Sequence, residues 1–176
     1  HIIVVSDGST DNPESVINSL SFDNVKLIHY KDNKGKSFAL NEGLKAVKTD
    51  LVAFADIRQK YAEGTLACLA ACFLNEKVGA ASGNLHIISD ELNGESESGL
   101  YWKYEKWIRE KESELYSVLG VTGAVYMART ALIPEVPKGT LLDDMFIPLS
   151  IVKNGFQVKF VAEAEALDSS SASLEE

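Results

Sequence analysis

With 176 residues, 45% of them hydrophobic and 24% charged, the chain has the length of one domain with a sizeable core, and no apolar run approaches the roughly 20 residues that cross a bilayer. The 26 acidic residues against 17 Lys and Arg leave a formal net charge of -9. That excludes nucleic acid as the expected partner, because a polyanion needs a basic patch and these lysines are scattered; an anionic ligand held by a cation and a few basic groups stays open.

His1-Ile2-Ile3-Val4-Val5 reads as a strand with no preceding turn or signal sequence, as at the boundary of an excised fragment. Residues 6–11 turn the chain, and Asp11 or Asn12 can cap a helix that has Pro13 first and Val16, Ile17 and Leu20 facing inward. A second strand over 25–29, a polar loop over 32–36 and a helix over 37–47 follow, the helix burying Leu40, Leu44 and Val47. Residues 51–55 are five apolar residues in a row, which suits a buried central strand covered on both faces and delivering Asp56 to the sheet edge. A carboxylate there either caps the next turn or faces a ligand, since ligands of open α/β sheets bind outside the carboxyl ends of the strands.

The alternation of strand and helix predicts an α/β, Rossmann-like fold, a mostly parallel central sheet flanked by helices. Cys68 and Cys72, the only cysteines, are read as buried thiols of one tightly packed helix. Zinc would need two more ligands and an i, i+4 pair is too far apart for a relaxed disulfide, which suits a cytoplasmic chain. Residues 78–88 read as one long strand, or two with a bend at the glycines. An acidic loop over 89–98 leads to the longest helix, about 100–116, whose stripe of Tyr101, Tyr104, Trp107, Ile108 and Leu115 is read as core. A glycine-rich turn and short strand occupy 119–129. Asp143 and Asp144 stand just ahead of a helix, with Pro148 near its start and Gly155 as its C-terminal cap. The last strand covers 157–161; the domain is expected over 1–167, with 168–176 a polar tail.

Five stretches in this order resemble one family: Val4-Val5-Ser6-Asp7-Gly8-Ser9-Thr10-Asp11, Asn33-Lys34-Gly35-Lys36 running on to Gly43, Phe54-Ala55-Asp56-Ile57-Arg58, Thr122-Gly123 running on to Arg129, and Leu142-Asp143-Asp144. Together they resemble the inverting family 2 glycosyltransferases of the nucleotide-sugar-binding A-type fold. The resemblance implies a hexosyltransferase of polysaccharide biosynthesis, moving a sugar from a nucleotide-diphosphate donor such as a UDP-sugar to a saccharide or lipid-linked acceptor with inversion. Asp144 matches the family's base, and Asp143 stands where a glutamate is usual. Asp7, with Gly8 and Ser9, matches the nucleotide loop and would contact the uracil; Lys36 either lines the same pocket or is a solvated loop lysine. Asp56 matches the first acid of the Asp-x-Asp motif, and Arg58 occupies the second. Either Asp56 alone holds a Mg or Mn ion carried in by the diphosphate, or Arg58 neutralises phosphate charge or pairs with a nearby carboxylate.

The family's first strand and its Pro-x-x-Asn-Glu loop are missing ahead of Ile2, and its Gln-x-x-Arg-Trp motif is missing at the other end. The chain is therefore expected to be a truncated cytoplasmic catalytic domain of a longer, bacterial, membrane-associated enzyme, inactive by itself and prone to homo-oligomers through an exposed sheet edge. Two other readings compete. A phospho-receiver domain would explain Asp7 and Asp56 but needs a Lys-Pro pair that the chain lacks. A catalytically inactive module of the same fold, with a binding or assembly role, takes its support from Arg58.

Overall fold

Among the described residues seven strands form two separate ladders, one of two strands and one of five. The computed structural model describes residues 1–20, 22–88 and 97–169; residues 89–96 of the expected acidic loop, and the chain from 170, lie outside the described residues. The smaller ladder is β1 (Ile2–Asp7) beside β2 (Val25–Tyr30), parallel and in register from Ile2 against Val25 to Asp7 against Tyr30. Helix α1 (Pro13–Ser19) supplies the crossover that a parallel pair requires.

The larger ladder has the order β3-β6-β5-β7-β4, with β3 (Leu51–Ala55), β4 (Lys60–Tyr61), β5 (Val78–Ile88), β6 (Val125–Arg129) and β7 (Gln157–Ser169). Strand β6 is antiparallel to β3 and β5, while β5 and β7 are parallel. Thus β3, β5 and β7 share one direction, and β6 with the two-residue β4 runs against them. The result is the expected mixed, mostly parallel sheet flanked by helices.

Alternation along β6 divides the core. Tyr126 and Ala128 face Ile147 and Ile151 of α5 (Asp143–Lys153), whereas Val125 and Met127 face Leu69 of α3 (Thr65–Ala71). Burying each such branched side chain is worth roughly 1.5–3 kcal/mol, so the two helices clamp the sheet from opposite faces. On β5, Val78 and Ala80 are two residues apart yet lie in opposite core clusters. A register shift falls between them and another between Ser82 and Asn84, so the bends do sit at Gly79 and Gly83, as bulges that rotate the strand.

Several expectations give way to the structure. Strand β3 is an edge of its ladder among the described residues, and Ala53 and Ala55 are exposed rather than covered. In α1 no residue is buried, and Val16 and Leu20 are about half exposed; a helix of seven residues packed on a two-stranded ladder has little core to turn toward. Helix α4 (Glu97–Leu115) likewise leaves Tyr104 and Trp107 outside, stacked on each other with centroids 6.1 Å apart. Its packed side instead offers Ser113, whose Oγ accepts Phe160 N, and Arg109; the side chain of Tyr101 lies outside the described residues. Cys68 and Cys72 are half-buried free thiols, and burial pushes the Cys72 thiol up. Strand β7 runs on to Ser169, so Asp168 is a paired strand residue facing Ile87 and not the first residue of a tail. No described helix is long and apolar enough to cross a membrane.

A Cβ added at Gly83 would strike the Ala164 carbonyl oxygen and Val125 Cγ2, backbone and core atoms that cannot step aside. Gly83→Ala should destabilise the chain by about 2 kcal/mol, seen as a lower urea midpoint with an unchanged slope.

Candidate functional site

Helix α2 (Lys36–Ala46) carries the first functional side chain and is also the tie between the ladders. Its Asn41 amide bonds the backbone of Val136 in both senses, Nδ2 to the carbonyl at 2.8 Å and Oδ1 from the N–H at 2.9 Å. Ser37 Oγ adds a bond to the Thr140 carbonyl at 3.3 Å. These contacts draw the segment ahead of α5 against the N-terminal end of α2. Lys36, the first residue of α2, then reaches Asp143, the first residue of α5, with Nζ 2.8 Å from Oδ1.

The pair is lopsided: the Asp143 side chain is 5% exposed and that of Lys36 60%. Burial pulls the Lys36 ammonium down, but its bond to Asp143 and the charges of Asp143, Asp56 and Asp144 outweigh that and hold it above the ordinary lysine range. A cation and three carboxylates contributed by α2, the end of β3 and the start of α5 therefore act on one another. Both aspartates of α5 stand in its first turn, where the helix dipole favours negative charge.

Asp144 is fixed from the glycine-rich turn. Pro148 lies inside α5 rather than at its start, and having no N–H it cannot bond the carbonyl four residues back. That carbonyl belongs to Asp144, and it accepts Val121 N at 3.0 Å instead. A Cβ at Gly123 would stand 3.4 Å from Asp144 Cβ and 3.7 Å from its Oδ2, ordinary contact distances, so the turn runs alongside the carboxylate. Thr122 between them is braced: its N–H donates to Ser82 Oγ at 2.9 Å and its hydroxyl accepts Arg109 Nη1 at 2.9 Å.

Two tyrosines lie under the site. Tyr61 donates to the Phe54 and Ala124 carbonyls at 2.8 and 3.1 Å, and its phenol is pushed up to about 12 by burial and by the charge of Asp56. Tyr126 stacks flat on Phe54, centroids 4.4 Å apart. Its hydroxyl is buried with no partner among the described residues; burial, then the charges of Asp143 and Asp144, push its phenol far up. Nothing in an apolar Val-Tyr-Met-Ala run distinguishes a buried phenol from an exposed one, so Tyr126 was not legible as part of the site, and Tyr61 follows Gln59 and Lys60 with no sign of burial.

Of the other expected residues Asp56 acts on Lys36 through its charge, and the rest lie apart from this cluster. Asp7 ends β1, and its carboxylate is occupied by backbone: Oδ1 and Oδ2 accept Lys34 N at 2.9 and 3.0 Å, and Oδ2 accepts Gly35 N at 2.7 Å. Gly8, at φ 82°, lets Asn33 press in, since a Cβ there would meet Asn33 N at 2.8 Å. Asp7 and Gly8 thus build the loop from which Lys36 projects, and a cleft of about 860 Å³ opens between that loop and the Glu135–Lys138 segment. Ser9 faces a different cleft, of about 370 Å³, with Thr10, His29 and Lys31. Asp56 is exposed. Arg58 leans toward Asp168, Nη2 to Oδ2 at 4.0 Å, while Gln59 bonds the same oxygen at 2.8 Å.

Comparison with known proteins agrees with this architecture. A mannosyltransferase, PcManGT from Pyrobaculum calidifontis, in complex with GDP-Man and Mn2+, superposes with a TM-score of 0.80 at 19% identity, covering 96% of this chain and 47% of that one. S. aureus TarS in complex with UDP-GlcNAc gives 0.65 at 20% identity, over 96% and 49%. A poly-beta-1,6-N-acetyl-D-glucosamine synthase of Staphylococcus aureus (strain COL) is 22% identical over 165 residues, 90% of this chain. The chain spans 40% of the length of that synthase. The sequence pattern of Glycosyl transferase family 2 matches residues 1–133, the stretch that carries Asp7, Lys36, Asp56 and Arg58, and the chain belongs to that family.

Proposed function

We propose that this chain holds the donor site and the base of an inverting sugar transfer from a nucleotide diphosphate, a UDP-sugar, to a saccharide or lipid-linked acceptor. The observation that carries the reading is the convergence of Lys36 on Asp143 at 2.8 Å, beside Asp144, from motifs more than 100 residues apart in sequence. Structural purposes alone do not call for a buried carboxylate here, since ion pairs of this kind contribute little to stability. A UDP-sugar is the donor kind held by TarS, whose structure contains UDP-GlcNAc, while the mannosyltransferase holds GDP-Man; both are nucleotide-diphosphate sugars.

In this reading Asp144 takes the proton of the acceptor hydroxyl as its oxygen bonds to the anomeric carbon and the bond to the diphosphate oxygen breaks on the opposite face. Lys36 and Arg58 are the cations available to the departing diphosphate. Asp7, Gly8 and Ser9 act at the nucleotide end, Asp7 through the loop it holds as well as by direct contact. Asp143 keeps Lys36 in place. The inactive-module reading gains nothing from this arrangement, because assembly alone does not call for Asp144 beside a buried Asp143–Lys36 pair.

A divalent cation, Mg or Mn, belongs to the same proposal, as a group that would neutralise diphosphate charge when bound. Among the described residues no group of three His, Cys, Asp or Glu could hold a metal ion. Asp56 supplies one ligand, and Arg58 supplies none. The described residues therefore do not make a resident metal site.

Three outcomes test these proposals. In the intact protein, Asp144→Asn should lower transfer by at least about a thousandfold while UDP affinity changes less than about threefold, since the lost group faces the acceptor; retained transfer removes Asp144 from the mechanism. Mn titrated calorimetrically without nucleotide should bind weakly, and micromolar or tighter binding would contradict the one-ligand reading of Asp56. Among the described residues one edge each of β1 and β3 is without a strand partner and offers backbone groups to another chain; light scattering of the 176-residue chain should show dimers or larger species, against a strictly monomeric result.

A further inference from the structure

We propose that Lys36 is an exchangeable cation, held by Asp143 before the donor arrives and passed to the donor's diphosphate on binding, while the buried Tyr126 hydroxyl takes over beside Asp143. This rests on the donor reading above and adds to it a coupling between donor and base.

The exposure of the pair and the chemistry of lysine point to exchange rather than a fixed ion pair. Asp143 is buried and Lys36 is mostly exposed, so an anion in solvent can reach the ammonium but not displace the carboxylate. A lysine head is a compact point charge with three donors on a flexible stem, and it can swing between two acceptors that a planar guanidinium could not serve equally. What opposes the swing is the charge left behind, because a buried carboxylate without a partner is costly.

Tyr126 answers that cost. It stands on β6 beneath α5, its ring is held by Phe54, and its hydroxyl is the described donor with no partner on which the charges of Asp143 and Asp144 act. A phenol kept unsatisfied in a core is a liability in one state unless a second state uses it. With Lys36 on the diphosphate, positive charge also leaves the neighbourhood of Asp144, whose charge acts on Lys36 in the unliganded protein, so donor and base are coupled through one side chain.

The test is UDP binding by titration calorimetry on the intact protein and on Asp143→Asn, Lys36→Met, the double variant and Tyr126→Phe. Asp143→Asn should tighten UDP about fivefold, the worth of a partly exposed ion pair, and the gain should vanish when Lys36 is Met. A gain that persists without Lys36 is general charge relief and overturns the exchange. Tyr126→Phe should weaken UDP several-fold while leaving thermal stability equal or higher; unchanged UDP affinity removes Tyr126 from the proposal. Should a variant not fold, the Lys36 ammonium resonance in the unmodified protein reports directly: it should move on adding UDP, and UDP binding with that resonance still overturns the exchange alone. Absence of any UDP binding overturns the donor reading, and the exchange falls with it.

Discussion

The amide of Asn41 is the constraint on which the site depends. The β1-β2 ladder and the five-stranded ladder share no strand pairing among the described residues, so their relative placement has to come from elsewhere. Asn41 binds both backbone groups of Val136, as a neighbouring strand would, and Val136 is itself 1% exposed in the α5 side of the core. One side chain thereby joins the packing of the larger ladder to the helix that starts with Lys36. Without that register, α2 would still pack on β1, but its first residue would have no fixed relation to α5.

A proline sets the second constraint. Pro148 inside α5 frees the Asp144 carbonyl, and Val121 N fills it. The helix loses one internal bond and gains a bond to the glycine-rich turn, so the local cost of the proline is offset by a tertiary tie at Asp144. Sequence reasoning used Pro148 only as a sign that a helix begins nearby, because the pattern of one segment carries no information about what replaces a missing N–H.

What could be read from the sequence was what local chemistry determines. Glycines marked the bends of β5 at Gly79 and Gly83 and the end of α5 at Gly155, which sits at φ 87°. The order of short acidic and glycine motifs identified the fold and family, since each lies where a strand or helix ends. Burial was less legible. The stripe of α4 has helical period, yet Tyr104 and Trp107 turn outward, because period says that a helix has two faces and not which one meets the sheet. Strand β3 reads as central from its five apolar residues, yet it ends its ladder. Tyr126 and the Asn41 clamp escaped altogether: both depend on partners 72 and 95 residues away, Phe54 and Val136.

The charge balance of the chain has the same logic at larger scale. A chain with a net charge of -9 repels a diphosphate unless cations are kept locally, and a kept cation needs a partner until it is wanted. Lys36 rests on Asp143 of α5, and Arg58 leans toward Asp168 of β7 at 4.0 Å. In both cases the cation is the exposed member and the carboxylate the buried one, with 60% against 5% and 74% against 16% of the side chain accessible. Asp168 Oδ1 and Gln59 Oε1 are buried without hydrogen-bond partners among the described residues, so the Arg58 side of the site, like the Tyr126 side, holds polar groups not yet matched. Such an arrangement keeps positive charge at the surface of an acidic protein without placing it in the core. It also means that an incoming anion would meet cations whose carboxylate partners the fold has already positioned.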